Sequence, residues 1–300
     1  MTDATVTSAY VREFDDSFKI AVQQKQSRLA LKVINRGQIT GADFTINTFG
    51  TMDFAEKVGR FADTPISHNA VASRLVTMKD EILATLVDIS DPAKLKAQLD
   101  GPIRMSFEAA LNRARDRYIY NGLIDNIMQK TAYADSGYAA VALPSGQKVL
   151  QGTTAISKAT LIKVRAIFQK NQVGIEDGEE LNLTYNASML ETILSDTTLT
   201  SADYLAVQML QSGKIDESKW LGFNWIPYES LRAGTEVGSK IGVAWATSGV
   251  EFGWNQLESF RIDTRQDKSY AKQFGGAYSF GAGRNDEKKV VSFEFKDTMA

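Results

Sequence analysis

The sequence contains no cysteine, which excludes disulfides, thiolate metal sites and cysteine nucleophiles. It contains a single histidine, His68, so no pair of imidazoles can share a metal. No uncharged apolar run approaches the roughly 18 residues that a membrane-spanning helix needs. Residues 1–30 also lack the basic head, apolar middle and small-residue cleavage site of a secretory signal. The expectation is a chain that stays in the cytoplasm and has no membrane partner. An excess of one charge is missing too: 34 basic against 36 acidic residues leave a formal net charge of −2. That argues against a sequence-specific DNA reader, whose affinity rests on neutralising phosphates.

What is present is an ordinary globular balance, with 43% hydrophobic and 23% charged residues, enough to bury a sizeable core. Apolar positions run nearly from end to end without a proline-rich or serine-rich linker, so any subdomains should interleave. No repeat of fixed period is found, which argues against solenoids and propellers.

Residues 9–26 place Tyr10, Phe14, Phe18, Ala21 and Val22 at spacings of three and four, with Asp15, Asp16, Lys19 and Gln23 between them. This pattern predicts an amphipathic helix. From Asn35 to Ala72, Gly37, Gly41, Gly50 and Gly59 punctuate the chain, and Asp43 to Thr48 alternate with Phe44 and Ile46 on one side. A long hairpin is predicted. Its phenylalanines, Phe44, Phe49, Phe54 and Phe61, are too sparse to close a core, so such an arm needs another surface to lie on. The return arm runs from Arg74 to Asp88. Ser90-Asp91-Pro92 then starts a short helix through Leu99, and Asp100-Gly101-Pro102 starts a long one. The long helix has a face running through Ile103, Phe107, Ala110, Leu111, Ala114 and Tyr118 to about Met128. Residues 131–152 predict a loop or a short surface hairpin. Helices are expected at 155–171, 188–194 and 202–211, with strands at 181–185, 223–226, 240–246 and 260–264. Residues 270–280 and 290–295 read as a closing antiparallel pair.

Sites of chemistry are sparse. His68 lies in the glycine-spaced arm, where a lone imidazole is a solvated side chain rather than a general base. Ser145 and Lys148 stand three residues apart without the companion motifs of a serine–lysine enzyme. Gly281 and Gly283 form a GxG lacking a third glycine in step and a following helix, so a turn is expected there. The adjacent acids Asp15-Asp16 and Glu179-Glu180 should face water. No Walker loop, nucleophile elbow or zincin motif occurs, and the expectation is a protein with no catalytic residue, metal or cofactor.

Asp91-Pro92 precedes a helix, Phe107 to Leu123, that carries Ala109-Ala110-Leu111, Arg113, Asp116 and Ile119 at its centre. Together with the glycine-punctuated arm before it, this segment resembles major capsid proteins of tailed bacteriophages with the Hong Kong 97-type fold. Ala202 to Gly213, Leu221-Gly222-Phe223, Ala244-Trp245, and Tyr270 with Gln273 look like later landmarks of that family, in order along nearly the whole chain. The resemblance implies an α+β fold in four parts: an N-terminal arm (1–34), an extended loop (35–75), a peripheral domain with a long spine helix (76–130 and 260–300), and an axial domain (131–259).

The resemblance further implies an icosahedral virion shell of hexamers and pentamers, built through a procapsid in the bacterial host cytoplasm. Overlapping loops would multiply the contact area between subunits, and heterologous contacts would close into rings. Phe44, Phe49, Phe54 and Phe61 are then expected at inter-subunit interfaces. The implied partners are the chain itself, a separate scaffolding protein, a portal protein at one vertex and a decoration protein. Contact with packaged double-stranded DNA would be non-specific, and a nearly neutral lining would let that DNA slide. Some members crosslink lysine to asparagine; Lys57 lies in the corresponding arm, with nothing else assigning it that role. Three alternatives stand beside this reading: an encapsulin-like nanocompartment around a cargo enzyme, a soluble mixed α/β hydrolase or transferase, and a tail-tube protein. The long arm and extended loop favour the phage shell over the nanocompartment.

Overall fold

The computed structural model describes residues 20–57, 59–60, 63–64, 66, 71–88, 90–91, 99–131, 137–174, 178–195 and 220–298. The helices expected after Asp91 and at 202–211, most of the N-terminal helix, and Asp15, Asp16, Phe61 and His68 lie outside these residues. The first part holds strands β1 (Ile34–Gln38), β2 (Asp43–Phe49), β3 (Val71–Thr77) and β4 (Lys79–Val87), then the long helix α1 (Asp100–Ile124). Next come β5 (Ile127–Thr131), β6 (Ala139–Val141), β7 (Lys148–Val149), α2 (Lys158–Lys170), β8 (Leu181–Tyr185) and α3 (Ala187–Ser195). Strands β9 (Phe223–Pro227), β10 (Ser239–Ala246), β11 (Val250–Arg265), β12 (Ala271–Arg284) and β13 (Val290–Lys296) follow. The class is α+β, and the described strands form three sheets ordered β1-β11-β12-β4, β7-β13-β10-β8-β9 and β2-β3-β5-β6.

The described chain divides into two compact units. One takes residues from Met1–Gln26, Glu81–Arg113 and Gln256–Tyr278; the other takes Ser27–Asp80, Ala114–Asn255 and Ser279–Ala300. In the first unit the opening half of α1 buries Phe107, whose ring lies 5.0 Å from Phe260 and 6.3 Å from Tyr278. Tilted aromatic pairs of this kind add modestly to the area they bury.

The second unit is centred on the five-stranded sheet. All five residues of β8 are buried, and so are the first six of β13, the mark of strands covered on both faces. Helix α2 covers part of that sheet with Leu161, Val164 and Phe168. It starts where the Ser157 hydroxyl accepts the Thr160 N–H, relieving one of the unpaired donors of the first turn. In the third sheet β2 and β3 pair from Asp43↔Thr77 to Phe49↔Val71. Its alternation sends Phe44 and Ile46 into a cluster with Val76, Met78 and Ile127.

Four expectations are corrected. Residues 20–26 are not helical; Asn112 and Arg113 hold the backbone carbonyls of Lys25 and Gln24 instead. Helix α1 stops at Ile124, and Ile127 and Met128 belong to β5, paired with Val141 and Ala140 on one side and, through Met128, with Leu75 on the other. Its deepest positions are Phe107, Ala109, Asp116, Ile119, Tyr120 and Leu123, while Ala110, Leu111, Ala114 and Tyr118 are half-buried. The two last strands do not close on each other: β13 pairs antiparallel with β10 and parallel with β7, whereas β12 lies between β11 and β4. Finally, Gly281 and Gly283 sit inside β12, not in a turn. A Cβ on Gly281 would fall 2.8 Å from Met78 Sδ, and one on Gly283 3.0 Å from Ile127 Cδ1. The missing side chains are what let the Phe44 cluster close over this strand.

Candidate assembly surfaces

The hairpin of β2 and β3 has a fixed root, and the described residues just beyond β2 are exposed. At the root, Arg36 pairs with Glu251, donates to the Thr45 carbonyl at 3.0 Å and lies 5.3 Å over the Phe44 ring. Arg74, almost fully buried, pairs with Glu287 and donates to the Arg284 carbonyl at 3.1 Å. Beyond the root, Phe49 is 77% exposed, Met52 60%, and Phe54 entirely so. The structure thus separates the four phenylalanines. Phe44 is buried in the core of its own chain, Phe49 and Phe54 are presented to solvent, and Phe61 lies outside the described residues. Alternation explains the first split, because Phe44 and Phe49 are five positions apart and so point to opposite faces of one strand.

A second apolar surface lies in the other compact unit. Strand β4 is the edge of its sheet, and Ile82 and Leu86 on it, with Leu257 and Ile262 on β11, are exposed. Ile82 also lines a depression of about 110 Å³, with Ala84, Arg261, Asp263 and Gly275. An exposed apolar edge strand is a template for pairing with another chain.

The second unit also holds charges with few ways to reach water. Arg284, fully buried, donates to the carbonyls of Leu123 (3.0 Å), Asp125 and Val141 (3.2 Å). It thereby occupies the unpaired acceptors at the C-terminus of α1, where a cation also suits the helix dipole. Burial lowers its pKa. Asp116, also fully buried, accepts from Ser27 Oγ (2.5 Å), Arg28 N (2.9 Å) and Leu29 N (3.1 Å). Glu179 accepts from Lys289 Nζ at 2.9 Å and from Ser248, so it does not simply face water; Glu180 pairs with Lys32 at 3.1 Å. Ser145 and Lys148 lie in a short turn and the following strand, a placement that brings no base to the hydroxyl. Among the described residues no group of three or more His, Asp or Glu is placed to hold a metal, and no helix is long and apolar enough to cross a membrane.

Tyr120 and Tyr228 form a buried phenol pair with ring centroids 5.1 Å apart. Burial, with a smaller contribution from the Asp116 charge, pushes Tyr228 up to about 12. Burial also raises Tyr120, against the opposing hydrogen bond from Arg232 N. Because the fold holds these protons more tightly than the unfolded chain does, their stabilisation is complete below pH 10 and falls as pH rises toward 12. The expected loss from Tyr228 alone is about 2 kcal/mol across that window. Urea midpoints measured through it, with tyrosinate absorbance as a monitor, should fall steeply for the native chain and less for Tyr228→Phe.

Comparison with known proteins agrees with this architecture. A family model described as "Phage capsid protein" matches residues 6–297. The capsid of the cyanophage P-SCSP1u is similar in structure, with a TM-score of 0.72 at 10% identity over 96% of this chain and 93% of that one. Mycobacterium phage Che8 gives 0.68 at 17% identity, covering 95% and 97%. Mycobacterium phage Cain gives 0.67 at 15%, covering 100% and 99%. No curated protein matches in sequence. With the family model spanning nearly its whole length and the fold shared end to end, the chain belongs to the phage capsid protein family, as a major capsid protein of Hong Kong 97-type fold.

Proposed function

We propose that this capsid subunit, which assembles from many copies of itself into the shell of the virion, forms hexamers and pentamers around the double-stranded DNA of a tailed phage. In this reading residues 1–34 are the N-terminal arm, 35–75 the extended loop, 76–130 with 260–300 the peripheral domain, and 131–259 the axial domain. The role is mechanical rather than catalytic. A scaffolding protein, a portal protein at one vertex and a decoration protein act with it, assembly takes place in the host cytoplasm, and contact with the packaged DNA is non-specific.

The observation that carries the reading is the split within the arm. Its root is held by the chain's own core and by Arg36 and Arg74, whereas its tip offers Phe49, Met52 and Phe54 to solvent. Isolated exposed apolar residues are unremarkable, but three within six positions on a projecting hairpin make a patch suited to a partner. The exposed face around β4 is the complementary kind of surface, and a neighbouring subunit is its natural occupant.

The test separates fold from assembly. Phe49→Ser with Phe54→Ser should leave thermal unfolding of the subunit unchanged and abolish closed particles in negative-stain electron microscopy. Phe44→Ser should instead cost about 3 to 4 kcal/mol of subunit stability, through lost burial and a cavity beside Ile46 and Val76. Normal shells from the double tip variant would overturn the overlapping-arm reading, and nucleic acid content of the particles would separate a genome container from a nanocompartment.

A further inference from the structure

Helix α2 has an unusual charge pattern. Its thirteen residues, KATLIKVRAIFQK, include Lys158, Lys163, Arg165 and Lys170 and no acid. Such a helix gains no internal i,i+4 ion pairs, and Lys158 stands at the end where the dipole disfavours a cation. Arg165 is occupied above the Phe223 ring at 5.9 Å. Lys163 and Lys170 are exposed on the turn sequence that faces β7, and Lys148 is exposed on β7 itself. Among the described residues none of these three lysines makes an ion pair.

Between helix and strand runs an open groove of about 470 Å³ lined by Lys148, Leu150, Lys163, Ala166, Ile167 and Lys170. Leu150 is 64% exposed. Among the described residues strand β7 pairs on one side only, in parallel with β13 through Ser292↔Lys148 and Phe293↔Val149, and ends the order of its sheet. Among the described residues the groove therefore combines an unpaired strand edge, an apolar floor and a rim of cations without ion-pair partners.

We propose that this groove docks an acidic, extended segment of a partner protein, which adds to the open edge of β7. Its apolar side chains lie on Leu150, Ala166 and Ile167, and its alternate carboxylates meet Lys148, Lys163 and Lys170. Strand addition supplies main-chain hydrogen bonds, and alternating side chains supply the choice of partner. A nucleic acid duplex fits less well, because a stiff rod with phosphates on its outside has no use for an apolar floor and a free strand edge. The chain's own arm fits less well too: residues 50–57 carry Asp53 and Glu56 against Lys57, a net single negative charge for three lysines. The site belongs to the subunit itself and does not depend on the shell geometry proposed above.

The test uses the full chain as soluble subunits and a fluorescein-labelled peptide alternating glutamate with valine. Binding should be saturable, weaken with salt, and fall about tenfold in Lys148→Glu/Lys163→Glu/Lys170→Glu, since three exposed charge contacts of ordinary strength multiply to that factor. All three side chains are at the surface, so thermal unfolding of the variant should match the parent. Leu150→Ser, which changes no charge, should also reduce binding, a loss that pure charge attraction would not produce. Equal binding by parent and triple variant would overturn the proposal. Tighter lysine-dependent binding of a short DNA duplex, or of a peptide with the sequence of residues 49–57, would overturn it in favour of nucleic acid or a second copy.

Discussion

Arg284→Met should lower the stability of the subunit by about 4 kcal/mol, a large part of what holds a domain folded. The guanidinium is fully buried and serves three carbonyls, those of Leu123, Asp125 and Val141. Methionine keeps much of the volume and none of the donors. The carbonyls ending α1 would lose their partners in a site closed to water, and Glu287 and Asp125 would lose a neighbouring cation. Removing one member of a buried charged network costs more than the network's net contribution, because the groups left behind remain desolvated. Arg284→Lys should recover only part of the loss, since a single ammonium cannot reproduce the planar fork that reaches separate acceptors. Urea unfolding of the full chain measures both. A shift under about 1 kcal/mol with unchanged slope would show that the three carbonyls find other donors.

Asp116→Ala should cost about 3 kcal/mol. One carboxylate gathers the Ser27 hydroxyl and the backbone N–H groups of Arg28 and Leu29, and Leu29 is itself fully buried. Alanine strands two backbone donors and creates a gap beneath the segment that leads into β1. Ser27→Ala removes one of the three bonds to Asp116 and the bond that the hydroxyl accepts from Ala30 N at 3.2 Å, and should cost about 1 kcal/mol. The informative comparison is the double variant. If the Ser27 hydroxyl acts chiefly through this carboxylate, adding Ser27→Ala to Asp116→Ala should cost less than Ser27→Ala alone, leaving only the share of the bond it accepts from Ala30 N. Full additivity would mean that Ser27 stabilises the fold through the Ala30 bond and not through Asp116.

Those two residues also show where sequence reasoning stops. A charged side chain within a helical pattern reads as surface, and nothing local distinguishes Asp116 from the exposed acids around it. Its partners lie 87 to 89 residues away. Elements with a strong local period were legible. Helix α2 lies within the stretch predicted, with Leu161, Val164 and Phe168 buried, and β8 spans the predicted 181–185. The end of α1 was not, because Ile127 and Met128 continue the apolar rhythm while the pairing that claims them for β5 comes from β3 and β6. Strand partners failed for the same reason. Alternation in β12 and β13 announces two strands and carries no information about which neighbour each one meets. Of the candidate interface, exposure of Phe49 opposite a buried Phe44 follows from strand parity once the hairpin is recognised. Phe54 lies past the end of β2, where parity no longer applies.

The place of β13 also bears on how a subunit is made. This strand, formed by residues 290–296, is inserted between β7 and β10 in the five-stranded sheet. Until those residues have left the ribosome, β7 has no strand to join and β10 has a bare flank. The parallel pairing of Ile34 with Glu251 likewise waits on distant sequence. Closure of such long loops is slow, and open strand flanks in a growing chain invite misassembly or proteolysis. A polypeptide released early would lack a finished sheet and hence a finished outer surface. Synthesis through residue 296 thus becomes a condition for a closed sheet, a form of proofreading that requires no separate factor.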